Sequence, residues 1–224
     1  MLTLTETEES WDTIAQGISR LTKLCNHGAH DFPAELGALI RTLSRPLNDA
    51  MCSERSRLSG AAIDLLSALA SGLGNGFEPL LPLFFPTLLM LCTRTNKVFI
   101  TRARMCIHAL IENCQLPAIL PYLSEASKDK SVSLRITATE GMLACLNCFN
   151  PPDLENEVRA RLIEDVIKAT ARDASADVRK LSRKVFEAYK LLFPERVDKC
   201  AQSLYTLRTP TEMQYSGSSG RSVQ

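Results

Sequence analysis

The chain has 224 residues, 45% of them hydrophobic but only 6% aromatic, and 26 Lys and Arg against 25 Asp and Glu leave a net charge of +1. A nearly neutral molecule cannot hold nucleic acid through bulk charge, so no nucleic-acid partner is expected and charge-driven binding must come from local clusters. The eight cysteines lie scattered in apolar stretches and read as buried free thiols of a reducing compartment, which implies the cytoplasm.

Taken in chain order, the pattern predicts ten helices in five pairs and no strand. The start "MLTLTETEES" is acidic where a secretory signal would be basic and then apolar. Ser10 is a candidate N-cap for "WDTIAQGISRLTKLC", whose Ile14, Ile18, Leu21 and Cys25 recur at helical spacing. "PAELGALIRTLS" follows from Pro33 and is expected to stop before Pro46, leaving "NDAMCS" as a loop. The next helix covers "ERSRLSGAAIDLLSALASGLG", and "GNG" ends it as glycines do. Its partner "FEPLLPLFFPTLLMLCT" is too short for a bilayer, which takes about 20 apolar residues, and it holds Glu78 and three prolines; no membrane partner is expected. After "RTNK" come "VFITRARMCIHALIENC" and "PAILPYLSEAS", then "VSLRITATEGMLACLNCF", "LENEVRARLIEDVIKATA", "ADVRKLSRKVFEAYKLLF" and "PERVDKCAQSLYTLRT". Residues 1–210 read as one domain, and the tail 211–224, with "GSSGRSVQ", has no apolar periodicity and reads as disordered.

The segments "SKDKSVSLR" and "ARDASADVR" share one pattern: Asp, one residue, Ser, three residues, Arg. Aligning Asp129 with Asp173 gives 173 − 129 = 44, within the roughly 40 to 47 residues of HEAT-type helix pairs. Ser-to-Arg spacing recurs as Ser53 to Arg57, Ser131 to Arg135 and Ser175 to Arg179, each at a helix start where Ser is expected to cap the orphan amides. The fold expected is all-α, an α-solenoid of HEAT-like repeats with five helix starts along one edge. That edge is basic: Arg55 and Arg57; Arg94, Lys97 and Arg102; Lys128, Lys130 and Arg135; Arg172, Arg179 and Arg183. Cations at helix N-termini oppose the dipole, so local stability does not explain them and an acidic partner does. Trp11, the single tryptophan, either anchors a partner from this edge or caps the first repeat's core.

Reactive chemistry is not in evidence. "CLNC" (Cys145, Cys148) is a lone pair of thiols inside a helix, and "CNHGAHD" gathers Cys25, His27, His30 and Asp31 at a turn that needs no ion. "GLGNG" lacks the following Lys and Ser or Thr of a phosphate loop, and His108 stands alone in a helix. No nucleophile, base and orienter can be assembled, so neither catalysis nor a cofactor or metal is expected.

These residues together, "ESWD", the run from Glu54 to Val98, "SKDKSVSLR" and "ARDASADVRKLSRKVFEAYKLLFPE", resemble the TOG domains of the CLASP family of microtubule-associated proteins. The resemblance implies a monomeric paddle of HEAT repeats whose loops bind tubulin or the microtubule lattice, restraining catastrophe and promoting rescue at cytoplasmic microtubules and the mitotic spindle. It assigns Trp11 to an apolar contact, Arg55 or Arg57 to the second loop, Lys97 to the third, Lys130 with Arg135 to the fourth, and Arg179 with Arg183 to the fifth. Gly60 and Ala61 depart from the Arg-Glu pair of CLASP relatives. The alternative expectation is a HEAT scaffold that binds another protein and leaves this edge idle.

Overall fold

The structure, a computed structural model, describes residues 6–28 and 31–206, the side chains of 203–206 excepted; the expected tail at 211–224 lies outside the described residues. The elements are α1 (Trp11–Gly28), α2 (Pro33–Thr42), α3 (Ser44–Cys52), α4 (Ser56–Leu73), α5 (Leu81–Leu91), α6 (Lys97–Cys114), α7 (Leu120–Ala126), α8 (Val132–Cys148), α9 (Pro151–Leu154), α10 (Glu157–Thr170), α11 (Ala176–Leu192) and α12 (Val197–Thr206). Short 3₁₀ turns precede α5, α7 and α12, and the described residues contain no strand.

Helices α1, α4, α6, α8 and α11 pack side by side as one layer, and α2 with α3, α5, α7, α10 and α12 form the second. The buried set is aliphatic and aromatic throughout, with Leu65, Leu69, Phe77, Phe84, Phe85, Ile107, Leu110, Met142 and Tyr189 at or near zero exposure. Each such side chain contributes about 1.5–3 kcal/mol by leaving water. Helix α8, between α6 and α11, exposes only Val132 and Asn147. At the other extreme α1 packs chiefly on α4, with no comparable contact to α2 or α3. The first repeat is therefore the least covered, and Leu24, Phe32 and Leu39 stay exposed there.

Three expected boundaries are corrected. "NDAMCS" is no loop: residues 44–52 form α3, with Pro46 in its first turn, where a missing N–H breaks no helical bond. The helix expected from Phe77 divides, because the 3₁₀ turn Gly74–Leu80 takes up Pro79 before α5 begins. The segment before α10 holds a separate turn, α9, and Asn156 starts α10 by accepting a hydrogen bond from Val158 N at 2.9 Å. Gly74, at φ 51°, ends α4 as expected, while Gln115 ends α6 at φ 49°, a left-handed position that glycine occupies without strain.

A loop edge at the helix starts

The first-layer helices begin at loops that bond to their neighbours, so the loops stand in a row. Ahead of α1, Thr7 and Ser10 cap reciprocally: Thr7 N donates to Ser10 Oγ at 2.9 Å, and Ser10 N to Thr7 Oγ1 at 3.1 Å. This places Glu8 and Glu9 in an N-terminal turn, where the dipole favours acids. Glu6 Oε1 then accepts from Ser53 Oγ at 2.9 Å and from Arg55 Nη1 at 2.6 Å, tying the first loop to the second. Arg94 ties the third to the second, with Nη2 donating to the Cys52 carbonyl at 2.5 Å while its guanidinium lies 4.9 Å above the Phe99 ring. The fourth and fifth are joined by Arg135 and Asp173.

The repeated Asp-x-Ser-x-x-x-Arg pattern has a local structural cause. Asp129 Oδ1 accepts from Ser131 N at 2.7 Å, and Asp173 Oδ1 from Ser175 N at 2.8 Å. Arg135 Nη1 donates to the carbonyls of Asp129 and Lys130 at 2.9 and 3.0 Å, and Arg179 Nη1 to those of Asp173 and Ala174 at 2.6 and 2.9 Å. Each Arg thus reaches back one turn to saturate its own loop. Arg135 also grips Asp173 of the next repeat, Nε to Oδ2 at 2.6 Å and Nη2 to Oδ1 at 2.9 Å. That bond holds the Asp173 carboxyl below the usual range, with lesser help from Ser175 N and Arg179. Ser53 does not share the pattern, having Met51 where the other two have Asp, and it accepts from Arg55 N at 3.1 Å.

Of the expected serine caps one forms and two are corrected. Ser131 caps α8 through Leu134 N, at a long 3.4 Å; Ser175 makes no side-chain cap bond; and α4 starts from Arg55 without one. Asn96 is a cap that helix periodicity did not expose, accepting from Val98 N at 2.9 Å and bringing Lys97 into α6 from its expected loop position.

The sequence-derived site residues divide by what holds them. Trp11 is half-buried, packed against the core, with Arg55 5.5 Å over its ring, so it shares features of both expected roles. Arg55 is engaged by Glu6 and by Glu8 Oε1 at 2.5 Å, and Arg57 by Asp12 at 2.7 Å. Arg135 is a loop clamp with 13% of its side chain exposed, which leaves no free fork for a partner. Lys97, Lys130 and Arg183 are exposed, and no ion pair engages their side chains among the described residues. Arg102 comes from α6 to lie over Gly60, its Nη1 1.4 Å from where a Cβ would stand. A guanidinium thus fills the space above the glycine.

The other motifs are placed as follows. Burial pushes the Cys106 and Cys114 thiols up to about 12 and Cys92 to about 11; Cys145 is buried and Cys148 half-buried in α8. His30 lies outside the described residues, among which no group of three His, Cys, Asp or Glu could hold a metal. His108 lines an open depression on α6 with Met105 and Glu112. No helix of the described residues is long and apolar enough to cross a membrane.

Residues 1–208 match the family described as CLASP N terminal. Among relatives, the chain is 29% identical over 191 residues to a CLIP-associated protein of Arabidopsis thaliana, covering 84% of this chain and 13% of that one. Protein peg1 of Schizosaccharomyces pombe is 27% identical over 205 residues, covering 89% and 14%. The chain therefore spans about an eighth to a seventh of these relatives' length. A chain solved in work on microtubule plus-end tracking by XMAP215, CLIP-170 and EB1 superposes with a TM-score of 0.67 at 20% identity, over 92% of this chain and 83% of that one. The N-terminal domain of MAST/Orbit does so at 0.62 and 18%, over 91% and 90%. The fold is thus that of the helical-repeat solenoids, and the chain belongs to the CLASP N-terminal family.

Proposed function

We propose that this domain is a non-enzymatic module that binds tubulin, free or in the microtubule lattice, and regulates microtubule dynamics through its loop edge. Family membership supports the partner, as does a fold shared with a chain from work on microtubule plus-end tracking. The observation that carries the reading is the row itself: a half-exposed indole at one end, then Lys97 and Lys130 at or beside successive first-layer helix starts and Arg183 two turns into α11, all three exposed and without ion pairs among the described residues. Unpaired lysines on an acid-compensated molecule fit an acidic protein face. Arg179 belongs to the same face for a structural reason: its counterpart Arg135 takes a carboxylate from the repeat that follows, and beyond α11 no further first-layer helix follows among the described residues. Arg135 is left out, its fork being filled.

The chemistry divides the face into an apolar end at Trp11 and a cationic end from the third loop onward. A single module with a few exposed charge pairs binds weakly, and several copies on one lattice would add by effective concentration. Cytoplasmic microtubules, including the spindle, are the location this reading implies.

Co-elution with tubulin across a salt series tests it. Trp11→Glu with Lys97→Ala should abolish co-elution, and wild-type binding should weaken as salt rises. Binding that survives both substitutions would favour the scaffold reading, in which another surface meets the partner.

A further inference from the structure

We propose that Glu6 and Glu8 are a built-in competitor for this edge, holding Arg55 against Trp11 in the place an acidic partner's carboxylates would take. The inference rests on the reading of the loop edge as an acid-binding face.

The geometry is that of a filled site. Arg55 Nη1 meets Glu6 Oε1 at 2.6 Å, Nη2 meets Glu8 Oε1 at 2.5 Å, and the guanidinium carbon lies 5.5 Å from the centre of the Trp11 ring. Both ends of the fork and one stacked face are occupied, the arrangement by which guanidinium recognises carboxylates. The strap is not loosely draped. Thr7, between the two acids, is fixed by its exchange of bonds with Ser10, and Glu6 also accepts from Ser53 Oγ. The capping that starts α1 therefore aims both carboxylates at the second loop.

Arg57, two residues on, is likewise paired with an acid, Asp12. The first two loops thus present their own acids outward, with the Glu8 side chain 90% exposed, while Lys97, Lys130 and Arg183 carry no ion pair among the described residues. An acidic surface docking along the row meets Lys97, Lys130 and Arg183 first and reaches the Arg55 fork only by displacing the strap. Release of Glu6 and Glu8 adds the Arg55 guanidinium to the contact beside the indole.

Trp11, the single tryptophan, reports the strap directly. Its emission is followed while a polyglutamate peptide is added at low salt, for wild type, Glu8→Gln, Glu6→Gln with Glu8→Gln, and the control Glu9→Gln. The double variant is expected to bind polyglutamate about three- to tenfold more tightly than wild type, the range that two exposed ion pairs supply, with a change in Trp11 emission. Glu8→Gln should move part of the way, Glu9→Gln should match wild type, and adding Arg55→Gln to the double variant should cancel the gain. If the folded double variant, or Glu8→Gln where the double does not fold, binds no more tightly than wild type, the competitor is overturned. Tubulin titrated in parallel separates the two readings: gain with polyglutamate but no wild-type binding of tubulin leaves the strap standing and removes the proposed partner.

Discussion

Arg135 and Arg179 show how one residue type at equivalent positions comes to differ in use. Both saturate their own loop's carbonyls, but only Arg135 has a following carboxylate, and the pair it makes with Asp173 is largely withdrawn from water. Removing one partner of a buried pair strands the other charge, so Arg135→Ala should cost about 3–5 kcal/mol of unfolding free energy in urea. The depressed Asp173 carboxyl adds a pH signature. Its stabilisation is fully present above the unfolded value of about 3.9 and is lost as pH falls through the folded one. The urea midpoint of wild type should therefore drop from about pH 4 downward more steeply than that of Asp173→Asn. A second residue-scale expectation concerns the thiols: with six of the eight cysteines buried, only the half-buried Cys52 and Cys148 should react with a disulfide reagent in the folded protein, and more slowly than a free thiol because burial raises them too.

Elements here are set by their ends as much as by their faces. Helix α6 begins at an Asn96 cap and ends on Gln115 in the left-handed region, where a side chain is strained and glycine is not. Gln115→Gly should stabilise by about 0.5–1 kcal/mol, the relieved strain exceeding the entropy glycine adds to the unfolded chain, and Asn96→Ala should cost about 1 kcal/mol. Thermal melts of the two variants check both signs. Earlier in the chain, between α2 and α4, a loop was expected and α3 formed, because Leu47, Ala50 and Met51 find the apolar surface that α4 and α5 supply. The periodicity of nine residues was too short to announce it, and Pro46 argued against it until its place in a first turn was known.

At the scale of the whole molecule, the two layers turn a 44-residue beat into a row of loops, and the row sorts the basic residues into two sets. Lys97, Lys130 and Arg183 carry no ion pair among the described residues, so replacing them with Ala should weaken tubulin co-elution while leaving the unfolding free energy within about 0.5 kcal/mol of wild type. Arg135→Ala should do the reverse at the level of the fold, lowering stability before it touches binding. Parallel melts and tubulin titrations of the two variants separate the sets. A molecule in which both behave alike would not be organised as this edge is.

The repeat, the all-α class and the basic helix starts were legible in the chain because each is a matter of spacing: apolar residues at helical intervals, and Asp, Ser and Arg returning after 44 positions. Which cations are free was not, since an Arg that clamps its own loop and a Lys that meets solvent look alike in a linear text. The pairing of Arg135 with Asp173, 38 residues away, and of Arg55 with Glu6, 49 away, exists only once the layers have brought successive loops within hydrogen-bonding reach. Short-range pattern fixes which helices form, whereas charge pairing across repeats depends on distances that packing alone sets.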